Sequence, residues 1–456
     1  LKVKVNSFEE NLQAADEARD QLTPPHPTFG EAFRFWLKLG FISFGGPAGQ
    51  ISIMHHELVD QKKWVSNERF LNALNYCMLL PGPEAQQLAT YIGWLLHRLP
   101  GGIVAGAFFV IPSIFILFTL SYIYAAYGSV PWVVSVFSGL KAAIMAIVVS
   151  AVIKIGKKAL KNGVMIGIAA LSFIAIYFLR IPFPVIVLGA GVLGLSGSYV
   201  LPAKFDVIKG KDTLDFDAGY VQICEDPLIC HINPSTGRNI LLITVFGLLW
   251  LTPAMMLFAF LPNRVYYTEA LFFTKAAFLT FGGAYAVLAY IAQAGVGHYG
   301  WLTGPQMIDG LGLAETTPGP LIMVVQFVGF MAGWNHPGSL SPLIGGLIGS
   351  LVATYFTFLP CFLFIFLGGP YIEKFRENTK MSAALSSITA AVVGVILNLA
   401  VWFGFQVLIP GNGRFNWFAA LVGLAAFVSI QWLKVGMIPV IAASGAIGFI
   451  WHQFIL

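Results

Sequence analysis

Two Pro-Gly-Pro triplets and two Gly-Gly pairs are the groups in this chain best suited to chemistry, and the chemistry is anion binding by the backbone. They are Gly45-Gly46-Pro47, Pro81-Gly82-Pro83, Gly282-Gly283 and Pro318-Gly319-Pro320. Proline removes a backbone donor and clashes with the preceding turn, so each group is expected to break a helix near its middle. A helix that resumes after such a break points free N–H groups and its positive dipole end into the gap. Glycines 45, 46, 82, 282, 283 and 319 would let an oxyanion approach the backbone closely. The competing reading is that these small residues only pack helices together.

Side chains around the breaks extend that reading. Lys38 and Lys275 each lie seven residues before their Gly-Gly pair. Charges inside a membrane are costly and tend to face an interior path, although both lysines could instead snorkel to the interface. Glu84 directly follows Pro83, where a carboxylate caps a resumed helix. A desolvated carboxyl there could also carry a proton, with Glu315 as the rival in the other half. Ser43, Gln50, Asn75, Gln87, Thr280 and Gln326 are neutral groups able to hydrogen-bond an oxyanion, and each also has an ordinary structural reading.

The elements that must position these groups are set by composition. The 456 residues are 57% hydrophobic and 10% charged, against about 25% charged in soluble domains. This excludes an ordinary soluble enzyme, a disordered chain and a nucleic-acid binder. Four cysteines make no disulfide framework. The apolar stretches 100–127, 130–153, 163–179, 183–201, 239–262, 340–368, 381–409, 415–433 and 436–455 are each long enough to cross a bilayer. The four segments 30–58, 68–97, 267–296 and 304–334 carry the breaks. Segments 1–28 and 201–238 are polar and acidic, whereas the apolar remainder is net basic. A basic membrane body favours an anionic cargo, although cytoplasmic loops are commonly basic anyway.

The chain repeats itself. Lys38 and Lys275, Trp64 and Trp301, and Pro81 and Pro318 are each 237 residues apart. Six of twelve positions are identical between 35–46 and 272–283, and Ser43 faces Thr280. Clusters at Lys154, Lys157, Lys158, Lys161 and at Lys374, Arg376, Lys380 are expected on the cytoplasmic side. With each broken segment taken as a re-entrant hairpin, the two copies come out inverted, and 239–262 supplies the flip. The expected fold is therefore an all-α polytopic membrane protein with two inverted structural repeats and broken or re-entrant helices. Its parts are a cytoplasmic extension 1–28, a first repeat 29–200, a cytoplasmic linker 201–238, a connecting helix 239–262 and a second repeat 263–456.

Other constellations are weaker. Adjacent His55 and His56 do not share a helix face, so with Glu57 they read as an interfacial turn, not a metal site. Cys224, Cys230 and His231 fit no common zinc spacing. The sequence holds no GxxxxGK[ST] phosphate loop and no nucleophile–base arrangement, so neither an enzyme nor a cofactor is expected.

The motifs Phe44-Gly45-Gly46-Pro47-Ala48, His55-His56-Glu57-Leu58, Trp64 and Leu74 through Ala89, with Pro81-Gly82-Pro83-Glu84-Ala85-Gln86-Gln87 at their heart, resemble the bacterial chromate transporter family. Thr280-Phe281-Gly282-Gly283-Ala284 and Thr317-Pro318-Gly319-Pro320 extend the resemblance to the second half, as in the family's long two-domain form. The resemblance implies a multi-pass inner-membrane protein that exports chromate, driven by the membrane potential or a proton gradient, and so confers chromate resistance. Sulfate is the analogue, because a site of backbone donors separates two similar tetrahedral dianions poorly. The alternatives are a sulfate or other oxyanion importer of the same fold, an anion channel, and a membrane enzyme or assembly factor using Cys224, Cys230 and His231. The partners are the bilayer and the oxyanion, with no nucleic acid; a homodimer is left open.

Overall fold

The computed structural model describes residues 26–205, 235–261, 263–281, 283–371, 379–411 and 413–454. Among them every regular element is helical. The first half holds α1 (Phe29–Ile42), α2 (Gly46–His55), α3 (Asn67–Leu79), α4 (Glu84–Phe108), α5 (Ile111–Tyr127), α6 (Pro131–Ala159), α7 (Gly163–Tyr177) and α8 (Phe183–Val200). Then come α9 (Thr236–Phe260), α10 (Val265–Leu279), α11 (Ala284–Ala292), α12 (Gly304–Thr316), α13 (Val324–Asn335), α14 (Pro342–Gly368), α15 (Thr379–Leu408), α16 (Trp417–Gln431) and α17 (Met437–Phe454). A 3₁₀ turn, Leu321–Met323, leads into α13.

Seven helical stretches are long and apolar enough to cross a membrane, so the protein is a multi-pass membrane protein. The nine expected spans all fall on helices. Two of them, α7 and α16, have only 15 residues each. At 1.5 Å per residue that is roughly 22 Å, short of a hydrocarbon core of about 30 Å. The expected span 100–127 is not one straight rod. It consists of the second arm of α4 and α5, and the first arm of α4 turns back at His97 and Arg98, where Arg98 has φ 55. A Cβ on Gly93 would stand 2.5 Å from the Cβ of Ala105. The two arms of α4 thus pack face to face through glycine. In the second half α13 and α14 pack the same way, with Gly329 and Gly333 against Gly349 and Gly345. Such small-residue contacts let helices associate where no water is available to drive them. Gly333→Val is expected to cost about 1–3 kcal/mol of stability, read as a lower unfolding temperature in detergent, because its Cβ would meet the Gly345 carbonyl carbon at 2.5 Å.

Element boundaries recur at the sequence spacing of 237. The π-helical turns His56–Gln61 and Gln293–His298 are 237 apart at both ends, and so are α3 and α12. Ser66 caps α3 and Thr303 caps α12 through their side chains. The long helices are exchanged between the halves. Helix α6 packs on α16 and α17, while α15 packs on α7 and α8. One apolar core consequently runs through both halves, from Leu117 and Ile147 to Phe327 and Ile396. Helix α9 packs on α10 and α14 along one side only. Its buried residues are Leu242 and Ala254, and Leu241 and Phe260 are 62% and 76% exposed. This is the surface of a helix facing lipid.

Candidate functional site

All four breaks form where the sequence places them. Helices end at Ile42, Leu79, Leu279 and Thr316, and resume at Gly46, Glu84, Ala284 and Leu321. Gly82 and Gly319 have φ 133 and 103, a region that side chains rarely adopt. A Cβ on Gly82 would also stand 2.5 Å from Gln87 Nε2 and 2.9 Å from Cys361 Sγ. One on Gly319 would run into the Ser113 hydroxyl. Neither position has room for anything but hydrogen.

The breaks meet in two crossed pairs. Gly82 N–H donates to the Thr280 carbonyl at 2.8 Å, and Gly319 N–H donates to the Ser43 carbonyl at 2.8 Å. Gly82 and Gly319 are 237 residues apart, as are Ser43 and Thr280, so these two bonds are one bond seen twice with the halves exchanged. Ser43 and Thr280 are both fully buried. Their hydroxyls donate back to the Leu39 and Ala276 carbonyls at 2.6 Å, again a matched pair. The helices resuming at Gly46, Glu84, Ala284 and Leu321 have no side-chain cap at their starts. Gly45, Pro83, Gly283 and Pro320 stand in the capping positions, and none has a side chain able to accept a hydrogen bond. The Ala286 and Met323 N–H groups turn back on the Gly283 and Pro320 carbonyls, and the first-turn N–H groups ahead of them are left for another acceptor.

The glutamines hydrogen-bond backbone carbonyls, the ordinary structural reading of the two given above. Gln50 donates its amide to the Gly319 carbonyl at 2.5 Å and to the Ser43 carbonyl at 3.3 Å. Gln87 donates to the Pro81 carbonyl and Gln326 to the Ile114 carbonyl, both at 2.7 Å. Gln50 and Gln87 brace the broken backbone with their donors, Gln326 ties α13 to the start of α5, and the carbonyl oxygens of all three amides are buried without a partner. Ser113 adds a further brace to the Pro318 carbonyl. Pro47 lies in the first turn of α2, and Gly283 caps α11 with φ 97. Gly282 lies outside the described residues.

The charged groups divide by location. Glu84 begins α4, and a Cβ added to Gly283 would stand 3.6 Å from its Oε1. The carboxylate of one half therefore lies beside the uncapped helix start of the other. Lys38 is exposed and pairs with Glu57 at 3.0 Å, while Lys275 and Asn75 are exposed on α10 and α3. None of these three side chains is brought to the crossing. Glu315 is buried and accepts a hydrogen bond from the Tyr285 hydroxyl at 2.7 Å. His55 and His56 both face Asp60, at 3.6 and 3.4 Å, and His55 also contacts Asn67 at 2.8 Å. Among the described residues no group of three metal-ligating side chains forms. Cys224, Cys230 and His231 lie outside them. A cleft of about 250 Å³ between Trp94, Arg98, Arg238 and Phe366 lies away from the breaks.

Sequence reasoning missed two groups. Lys141 in α6 pairs with Asp309 in α12 at 3.2 Å, and the Tyr124 hydroxyl of α5 donates to the same carboxylate oxygen at 2.8 Å. Glu269 of α10 is fully buried, and neither of its oxygens has a partner. The available signal was a charged residue inside an otherwise apolar segment, and Lys141 in the stretch 130–153 carries it plainly.

The sequence pattern of the family described as "Chromate transporter" matches residues 30–195 and 268–449. The chain is 29% identical over 450 residues to a protein described as "Probable chromate transport protein" from Synechococcus elongatus, covering 95% of this chain and 99% of that one. It is 28% identical over 384 residues to the "Chromate transport protein" of Cupriavidus metallidurans, covering 83% of each. It is 29% identical over 447 residues to the "Chromate transport protein" of Pseudomonas aeruginosa, covering 96% of this chain and 95% of that one. No solved structure matches it.

Proposed function

We propose that this chain, which belongs to the chromate transporter family, carries chromate across the inner membrane through the crossing of its four broken helices. The observation that carries the reading is the exchanged pair of hydrogen bonds, Gly82 to Thr280 and Gly319 to Ser43. Paired broken segments of inverted repeats are where secondary transporters build their substrate sites, and irregular backbone persists at membrane depth only when buried or lining a cavity. In this reading the halves are inverted copies, and the first-turn N–H groups after Pro47, Pro83, Gly283 and Pro320 hold the oxyanion. Lys38 and Lys275 act at a distance, as attractors in the approaches on either side. Glu84 occupies the place beside Gly283 as an internal anion, and it must withdraw or be neutralised before a dianion can take that helix start.

Export agrees with the energetics. Moving one charge across the membrane potential is worth about 2.3 kcal/mol per 100 mV, so a dianion leaving a negative interior gains about twice that. The test is chromate uptake into energised everted vesicles, with and without excess sulfate, against vesicles lacking the protein. Gradient-dependent uptake that sulfate suppresses is expected. A protein shown to be present and folded that accumulates no chromate ends the chromate reading. Accumulation only in right-side-out vesicles ends the export direction.

A further inference from the structure

The second half carries three buried carboxylates where the first half has none at the matched positions: Glu269 for Ala32, Asp309 for Asn72 and Glu315 for Met78. Two of them are provided for. Asp309 has Lys141 and Tyr124, and Glu315 has Tyr285. Glu84, in the first half, is partly exposed at a helix start. Glu269 alone of the four has neither a donor nor exposed surface: it is 0% exposed with both oxygens unpartnered, and the Tyr266 hydroxyl beside it is buried and unpartnered too.

Its surroundings explain the isolation. Helix α10 packs on α14, α9, α13 and α11. On α14, Glu269 meets the glycine face that also seals α13: a Cβ on Gly349 would stand 3.3 Å from Glu269 Oε1, and one on Gly345 would stand 2.9 Å from the Tyr266 hydroxyl. On α10 itself the cations are Lys275, which is exposed, and Arg264 at its start, which donates to the Phe258 carbonyl, and the charged residue on the four packed helices is Arg238, near the opposite end of α9. Trp250 of α9 bonds Thr274 of α10, which fixes the level, so Arg238 lies roughly 25 Å of helix from Glu269. Their remaining titratable groups are Tyr285, which bonds Glu315, Tyr355, which bonds the Leu249 carbonyl, and Tyr290 and Cys361. An ionised carboxylate with no donor in such a place is strongly unfavourable.

We propose that Glu269 is a binding site for a coupling proton, held neutral while α10 lies against the α14 glycines and ionised when α10 moves and water reaches it. The proposal rests on the transport reading above and deepens it. The proton is taken onto a Glu269 oxygen from water on one side and returned to water on the other, and the group changes charge by one unit. The movement needed is of a helix that already belongs to the site, since α10 is followed directly by its capping residue Thr280, whose carbonyl accepts the Gly82 N–H. Glu269 and Thr280 are about 16 Å apart along it.

The experiment uses the full chain in liposomes, with chromate or sulfate as the solute and a trapped pH dye. Wild type should accumulate solute under an imposed pH gradient, with protons moving alongside. Glu269→Gln, which fixes the neutral form at the same size, should retain solute exchange at equal concentrations and lose both the pH-driven accumulation and the proton movement. The infrared carbonyl band of a protonated carboxyl should be present in wild type and reduced in Glu269→Gln. Retained pH-driven accumulation in Glu269→Gln, or identical bands in the two proteins, overturns the proposal. Wild-type flux without proton movement overturns the proton site and leaves the transport reading standing. Absence of any oxyanion flux in wild type ends the transport reading and the coupling role together.

Discussion

Lys141→Met should lose about 3 kcal/mol or more of stability, and adding Asp309→Leu should return most of it. Breaking a buried ion pair by removing one partner costs roughly 3–5 kcal/mol, because a charge is stranded, whereas replacing both partners by apolar side chains is often neutral. The geometry fits that case. The Asp309 side chain is 3% exposed, that of Lys141 28%, and Asp309 Oδ1 has no partner at all. Without Lys141 the carboxylate keeps only the Tyr124 hydroxyl. The partial exposure of Lys141 places the expected loss at the lower end of the range. A double-mutant cycle on unfolding in detergent measures it. If the losses in Lys141→Met and in Asp309→Leu alone add up to the loss in the double variant, the pair is not coupled. Since α5 and α6 belong to the first half and α12 to the second, the pair also ties the halves together, so the single variant is expected to unfold with one transition at lower temperature, not with two.

What the sequence made legible is local backbone chemistry. Pro-Gly-Pro and Gly-Gly dictate a break whatever surrounds them, so the ends at Ile42, Leu79, Leu279 and Thr316 were open to reading. The spacing of 237 was equally open, because it needs only identity between Phe35–Gly46 and Phe272–Gly283. Which break meets which was not legible. Gly82 finds Thr280 and Gly319 finds Ser43 only after the whole chain has packed, and no periodicity encodes bonds between residues 280 − 82 = 198 and 319 − 43 = 276 positions apart. Which of the two readings of the glutamines holds was not legible for the same reason. An amide near a gap reads equally as a ligand donor or as a structural group until its bond to a carbonyl, Pro81, Gly319 or Ile114, is seen. Lys38 was open to two readings, an attractor for the anion or a lysine at the interface, and its partner Glu57 in the turn after α2 could not be foreseen. The exchange of α6 and α15 between the halves was beyond reach too, since an apolar helix shows which face it buries and not against what.

Gly82→Val and Gly319→Val should each abolish oxyanion flux, and to the same extent. Both residues sit at φ values where a Cβ is strained. Each N–H is half of the exchanged pair of bonds, and each lacks space, Gly82 against Gln87 and Cys361, Gly319 against Ser113 and the Phe109 carbonyl. Valine must therefore turn the peptide away from Thr280 or Ser43 and displace the helix start that follows. The effect is expected to be symmetric because the bond is, although the flanking side chains differ, with Glu84 following Pro83 and Leu321 following Pro320. Gly189→Ala is the control, since a Cβ on that glycine meets nothing within 4 Å, and it should transport as the wild type does. Protein recovered from the membrane, and its unfolding temperature, separate a damaged path from a damaged fold. If both valine variants insert and still move chromate at the wild-type rate, the anion does not pass where the four helices break. If only one is inactive, the two halves share a backbone plan without sharing the work, and the path belongs to the half whose glycine cannot be replaced.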